Sequence, residues 1–210
     1  MNNLKIKNEK NLQEITNFKE FLEYNDIVSN SNIKNQTIYN YTLDELQFLN
    51  CIFTNSNIQN CNFEKIYIKN CIFKNCNLSN SNLYKSTLKD VIFDNCSLVG
   101  VNLPESLLNN VTIENCKANS IILDESKISN LSIGFSLFNF SSFGNCNLKN
   151  ICFNNVEFIG ANFSNSPLDG IDFSTCNIEG ISVMQNDLQG VTFSASQALE
   201  YVKLLGINIS

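Results

Sequence analysis

Large apolar side chains return every fifth residue from Ile33 to Phe193 without a slip of register. Ile33, Ile38, Leu43, Phe48 and Phe53 open the series, Val183, Leu188 and Phe193 close it, and of its 33 members only Ala118 is small. A second track runs two residues earlier, through Ser31, Cys51, Ser56, Cys61, Cys71 and Cys76 and on to Val191, and favours small side chains. None of the 23 charged residues between positions 31 and 195 falls on either track. Burying an unpaired charge is costly, so these two tracks point inward and the other three positions of each pentapeptide point out.

Helical faces recur at about 3.6 residues and strand faces at about 2, so neither element alone produces this spacing. A chain that turns every five residues does. Four pentapeptides then make a square coil of about 20 residues, and successive coils stack through parallel-strand hydrogen bonds about 4.8 Å apart. The 33 pentapeptides predict an all-β solenoid of a little over eight coils, roughly 40 Å long. Residues twenty apart should lie above one another. Ile33, Phe53, Phe73, Phe93, Ile113, Ile133, Phe153, Phe173 and Phe193 form a phenylalanine-rich column, whereas Ile68, Leu88, Leu108 and Ile128 belong to an aliphatic one. Asparagine and glycine recur two residues after the central position, as at Asn35, Asn50, Asn55, Gly100 and Gly160. They suit corners, where tight turns favour unusual dihedrals and side chains that bond the backbone.

An open solenoid exposes apolar core and unpaired backbone at both ends and needs caps. Residues 11–24 carry Leu12, Ile15, Phe18 and Leu22 at helical spacing, with Asn11 and Glu14 placed as a capping box, which predicts an N-terminal helix as lid. Beyond Phe193, Ser196 is placed as an N-cap, Gln197 to Leu205 as a short helix, Gly206 as its stop, and Ile207 to Ile209 as a brief strand. Ala198, Leu199, Tyr201, Val202, Leu204 and Leu205 make this helix apolar on more than one side. A lid needs one apolar face, so the surplus points to a second copy of the chain and a homodimer. The organisation is an N-terminal cap at 1–30, a β-helix at 31–195, and a capping and dimerisation segment at 196–210.

Composition narrows the chemistry. The 38 asparagines with 8 glycines and 2 prolines could belong to a disordered tract, but 16 phenylalanines argue for a core. There is no histidine, arginine or tryptophan, so imidazole bases, His-containing metal sites and guanidinium clamps are absent. The net charge is −6 with lysine the one cationic side chain, which disfavours nucleic acid and favours a basic protein surface as partner. No apolar run approaches the roughly 18 residues of a membrane span. The start, MNNLKIKNEK, lacks the apolar stretch of a signal peptide, so the 9 cysteines read as reduced thiols of a cytoplasmic protein. All of them except Cys152 lie on the small-residue track, as buried small hydrophobes would. Cys76, Cys96 and Cys116 fall in one column at a spacing open to a disulfide or a thiolate metal cluster. Parallel inward side chains in a filled core favour packing, and no cofactor or metal is expected. The pairs Asp44–Glu45 and Asp124–Glu125 point outward with no cleft, which suits solubility better than acid–base catalysis, and no nucleophile has a base beside it. The chain is expected not to be an enzyme.

Charge is uneven along the rod. Residues 51–109 sum to +1, whereas residues 150–201 hold six carboxylates and no lysine. Asp124, Glu125, Glu157, Asp169, Asp172, Glu179 and Asp187 are the candidate partner-binding residues, with an ordinary solvated acidic surface as the plainer alternative.

The five-residue register, with bulky Leu or Phe at the centre and Ala, Cys or Ser two residues before it, resembles the pentapeptide-repeat family over about 165 residues. Asp187 to Val191 (DLQGV), Gln197, Ala198, the stretch Leu204-Leu205-Gly206-Ile207 and the tripeptide Cys116-Lys117-Ala118 resemble the Qnr-type quinolone-resistance proteins. The resemblance implies a right-handed quadrilateral β-helix with short helical caps, dimeric through its C-terminal helix. It further implies a mimic of duplex DNA that binds bacterial type II topoisomerases, DNA gyrase and topoisomerase IV, and shields them from quinolones. The best-known members carry loops inserted between repeats; here the count is unbroken, closer to loop-free relatives. The alternative is a non-enzymatic solenoid scaffold for an unrelated protein partner.

Overall fold

A computed structural model describes residues 11–204 and places them in a right-handed quadrilateral β-helix. The first turn holds strand β1 (Gln13–Ile15) and helix α1 (Phe18–Tyr24). Short strands follow: β2 (Ile27–Ser29), β3 (Ser31–Lys34), β4 (Thr37–Tyr39), β5 (Gln47–Leu49), β6 (Ile52–Thr54) and β7 (Asn57–Gln59). Then each coil has one longer strand that bends through two sides: β8 (Tyr67–Lys74), β9 (Thr87–Asp94), β10 (Leu107–Glu114), β11 (Lys127–Gly134) and β12 (Asn147–Asn154). Helix α2 (Ala195–Leu204) closes the described chain. Pairing is parallel throughout, and from β2 onward partners are twenty residues apart, as in Phe53↔Phe73, Phe73↔Phe93 and Val111↔Leu131.

The corners set this register. From Asn30 to Gly190 every fifth residue except Thr175 and Gln185 has φ between +46° and +78°. Asparagine and glycine tolerate that left-handed region, which explains their recurrence there. Asparagine also links the coils: Asn50 Nδ2 donates to Asn30 Oδ1 at 2.6 Å, Asn70 to Asn50 at 2.7 Å, and Asn95 to Asn75 at 2.7 Å.

From Leu46 to Cys146 every residue of both inward tracks is buried, as the period requires. The rings of Phe53, Phe73 and Phe93 pile face to face at 4.6 and 5.0 Å between centroids, and Phe143 lies on Phe163 at 4.9 Å. The small track does more than pack. Ser81 Oγ donates to the Ile58 carbonyl at 3.0 Å and accepts from Cys61 N at 3.2 Å; Ser126 repeats the arrangement with the Leu103 carbonyl and Ser106 N. Thiols substitute for hydroxyls, with Cys96 Sγ receiving Cys76 N at 3.4 Å and Cys116 Sγ receiving Cys96 N at 3.3 Å. Serine and cysteine therefore satisfy backbone amides that would otherwise be stranded in the core. All nine cysteines are free thiols, eight buried and Cys152 exposed.

The ends depart from expectation. The helix foreseen from Asn11 begins at Phe18, because Asn17 is the N-cap instead: Asn17 Oδ1 accepts from Glu20 N at 3.3 Å, and Asn17 Nδ2 donates to Glu20 Oε2 at 2.7 Å. Gln13–Ile15 pairs with β3, Ile15↔Ile33, only eighteen residues apart since α1 replaces part of a coil. Phe18 ends the aromatic column, 5.7 Å from Phe53. At the other end the N-cap is Ser194, not Ser196. Its hydroxyl accepts from Gln197 N at 3.3 Å while Gln197 Oε1 accepts from Ser194 N at 2.7 Å, and Gln197 Nε2 reaches the Phe173 and Cys176 carbonyls at 2.9 and 2.7 Å. That last clamp explains why the capping pair is shifted. Regular strands make about seven turns rather than eight. A 3₁₀ turn at Gln185–Leu188 interrupts the last coil, and its Ile178, Val183, Leu188 and Phe193 are only half-buried. Leu205, Gly206 and the strand foreseen at Ile207 to Ile209 lie outside the described residues.

The stack predicts its own weak points. Phe73→Ala should cost about 3–5 kcal/mol in urea unfolding, and Asn95→Ala about 1 kcal/mol through corner strain and the lost ladder bond. Under native conditions a thiol reagent should label one cysteine, Cys152, and all nine only after unfolding. Hydrogen bonding from Cys116, with burial, pushes Cys96 up to about 12, and burial pushes Cys146 up to about 11. Since both are raised in the folded state, their contribution is whole below about pH 9 and is lost as pH climbs through 11–12. The melting temperature of the wild type should fall more steeply above pH 9 than that of Cys146→Ala.

Candidate partner-binding surface

One coil, residues 126–145, serves to name the four sides by their twenty-residue equivalents: side a is 126–130, side b 131–135, side c 136–140 and side d 141–145. Outward side chains come from the second and fourth positions of each side and from the corner. Corners are short because the left-handed residue reverses the pleat without a loop, so these side chains stand on a rigid wall.

The seven candidate carboxylates do not converge on one side. Asp124 and Glu125 lie on side d and its corner, Glu157 and Glu179 on side c, Asp169 and Asp187 on side a, and Asp172 on side b. Glu125, Glu157, Asp169, Asp172 and Glu179 are exposed, and Asp124 and Asp187 are half-buried. The adjacent pair Asp124–Glu125 is split by its environment. Asp124 Oδ1 accepts from Ser142 Oγ at 2.5 Å and from Gly144 N at 2.8 Å, while Glu125 occupies a left-handed corner with φ +60°. Asp172 takes hydrogen bonds from Ser174, which hold its carboxyl below the usual range. Glu157 accepts from Asn139 Nδ2 at 3.4 Å. From Asn150 to Gly190 the rod is thus acidic on three sides with no cation.

Lysines are segregated in a way that composition alone does not reveal. Side a carries Lys69, Lys89, Lys127 and Lys149, and its leading corner carries Lys65 and Lys85. Lys69 and Lys89 are direct register partners on β8 and β9. The corner lysines are matched, Lys65 Nζ lying 3.6 Å from Glu45 Oε1 and Lys85 Nζ 3.2 Å from Glu105 Oε2. Tyr84 donates its hydroxyl to Glu105 at 2.8 Å, and this bond, with Lys85 beside it, lowers the Glu105 carboxyl. Counting modulo twenty would have exposed this basic stripe in the sequence.

The predicted dimerisation residues sit where the rod ends. Ala198 and Leu199 are exposed, Leu199 by 49%, and Tyr201 and Val202 are half-buried. The Tyr201 ring extends the aromatic column, 6.2 Å from Phe193. Leu204 ends α2, its side chain lying outside the described residues. Sequence reasoning missed two outward aromatics, Phe135 and Phe140, both at corners and 56% and 68% exposed. Their signal was present: phenylalanine at positions otherwise held mostly by asparagine or glycine. Among the described residues no cluster of three or more His, Cys, Asp or Glu could hold a metal ion, and no helix is long and apolar enough to cross a membrane. An open notch beside β1 and α1, lined by Glu14, Asn17, Glu20, Phe21 and Tyr24, lies at the far end from the acidic coils.

Comparison with known proteins agrees with this geometry. The family model for a pentapeptide repeat region matches residues 66–139, and that for pentapeptide repeats in eight copies matches 138–180. Full-length QnrB1, a plasmid-mediated fluoroquinolone resistance protein, is 18% identical over 84% of this chain and 100% of its own, with a TM-score of 0.52. HetL, a pentapeptide repeat protein involved in heterocyst differentiation regulation from the cyanobacterium Nostoc sp. strain PCC 7120, is 11% identical over 83% of this chain and 92% of its own, with a TM-score of 0.44. No curated protein matches the sequence.

Proposed function

Because the chain belongs to the pentapeptide-repeat family, we propose that it is a DNA-mimicking protein that binds bacterial type II topoisomerases, DNA gyrase or topoisomerase IV, and protects them from quinolones. The observation that carries this reading is the block of coils from Asn150 to Gly190, where Glu157, Asp169, Asp172, Glu179 and Asp187 stand on a rigid wall with no lysine among them. A surface of one sign steers association with a lysine- and arginine-lined DNA groove and holds the complex in register. QnrB1, which shares the fold, is itself a fluoroquinolone resistance protein.

A homodimer joined at α2 completes the reading. It would place two acidic halves back to back at the centre of a rod about 80 Å long, and the half-buried Val183, Leu188 and Phe193 with exposed Leu199 leave apolar surface for a second copy to cover. A second reading, a scaffold for an unrelated protein, is favoured by the spread of carboxylates over four sides and by the lysine stripe on side a, neither of which imitates two phosphate rows.

Supercoiling by purified gyrase should be inhibited at high protein concentration, and the DNA cleavage produced by ciprofloxacin should be suppressed at lower concentration. Absence of both effects, for gyrase and topoisomerase IV alike, rejects the reading. Gel filtration of a chain ending at Phe193 should show a monomer where the full chain runs as a dimer.

A further inference from the structure

Two phenylalanines break the corner rule. Phe135 and Phe140 adopt φ of +46° and +58°, a region in which a bulky L-residue is strained, and both rings are largely exposed. Neither gains burial in return. They occupy successive corners, so they bracket a single side, side c, whose outward residues between them are Leu137 and Asn139. The next coil makes room for Phe140. Gly160, one coil below Phe140, lies under its ring, and a Cβ there would stand 2.8 Å from Phe140 Cδ1. Gly134, immediately before Phe135, leaves space filled by the Glu114 carboxylate, where a Cβ would collide with Glu114 Oε2. Three carboxylates flank the pair, Glu114 on side b beside Gly134, Glu157 on side c bonded to Asn139, and Asp124 on side d bonded to Ser142 and Gly144, against one cation, Lys117, the register neighbour of Leu137 on side c.

Strain and exposure at both positions, with space cleared beneath Phe140, are what a binding anchor requires and what stability alone opposes. Aromatic rings desolvated at the middle of an interface carry most of its energy, and rings framed by carboxylates suit the aliphatic stems and cationic heads of arginine and lysine. We propose that Phe135 and Phe140 are the apolar anchors with which side c and its two edges grip a basic protein surface, Glu157 on side c and Glu114 and Asp124 on the adjoining sides pairing with its cations. This rests on the proposed function, and the partner surface it names is the lysine- and arginine-lined DNA groove of the topoisomerase. The anchors add contact that charge alone does not supply, and they place it on one side of a rod whose acidic residues are spread over all four.

The double variant Phe135→Asn, Phe140→Asn tests it, because asparagine is the residue that most other corners use. Phe135→Gly with Phe140→Gly is the second version, since glycine holds the corners equivalent to Phe140 at Gly160 and Gly180 and suits a positive φ at either position. Each is measured for thermal unfolding, for mass by light scattering, and for affinity to immobilised purified DNA gyrase beside the wild type. The expected result is a melting temperature equal or higher by a few degrees, an unchanged oligomeric mass, and affinity about tenfold or more weaker. A folded double variant that binds gyrase as tightly as the wild type overturns the inference and leaves the proposed function standing. A change in oligomeric mass with gyrase affinity retained overturns it too, assigning side c to contact between copies. A wild type that binds neither gyrase nor topoisomerase IV rejects the proposed function and the anchors' named partner with it.

Discussion

A left-handed backbone residue at every fifth position is the constraint from which the rest of the molecule follows. Once φ is positive at Asn30, Asn35, Asn40 and onward, the chain turns a right angle without a loop, each side is too short for more than two inward side chains, and coils must stack in parallel. Burial then has no freedom. The central position faces the axis and takes Leu, Ile or Phe; the position two before it faces the axis near a corner, where space is scant and a buried amide needs an acceptor. Hydrophobic burial supplies the driving force, but the corner decides which atoms are buried.

The same constraint makes most of the fold legible in the sequence. A period of five is so unlike helix or strand spacing that fold, columns and corner positions were legible from side-chain size alone. Phe53, Phe73 and Phe93 stack because nothing else is compatible with their spacing. The caps were less legible because they obey local rules in competition. Asn11 with Glu14 and Asn17 with Glu20 both spell a capping box, and pairing of Gln13–Ile15 with β3 selected the second. Likewise nothing in the sequence shows that Gln197 bonds the Phe173 and Cys176 carbonyls, the contact that moves the N-cap from Ser196 to Ser194. For the serines and cysteines of the small track the sequence shows size, but not the backbone amides that Ser81, Ser126, Cys96 and Cys116 satisfy.

The candidate surface was legible only in part. Counting charges along the chain located the acidic coils, yet linear counting is blind to sides. Asp169 and Asp172 are three residues apart and face different walls; Lys69 and Lys89 are twenty apart and are direct neighbours. A rod of this kind therefore has two charge patterns, one along its axis and one around it. The axial pattern suits electrostatic steering toward a basic groove, while the circumferential one confines a basic stripe to side a between Lys65 and Lys149, so an approaching partner senses its rotation as well as its end.

Twenty-residue bookkeeping also fixes how such a molecule can change. Losing or gaining a single residue inside the walls would move every downstream side chain one step around the pentapeptide, driving lysines into the axis and phenylalanines into water. Duplicating a whole coil would instead add one storey of about 4.8 Å and leave every contact intact. Length in this architecture is consequently adjustable only in whole storeys, and lineages built on it should differ by integral numbers of floors or by segments extruded entirely outside the masonry.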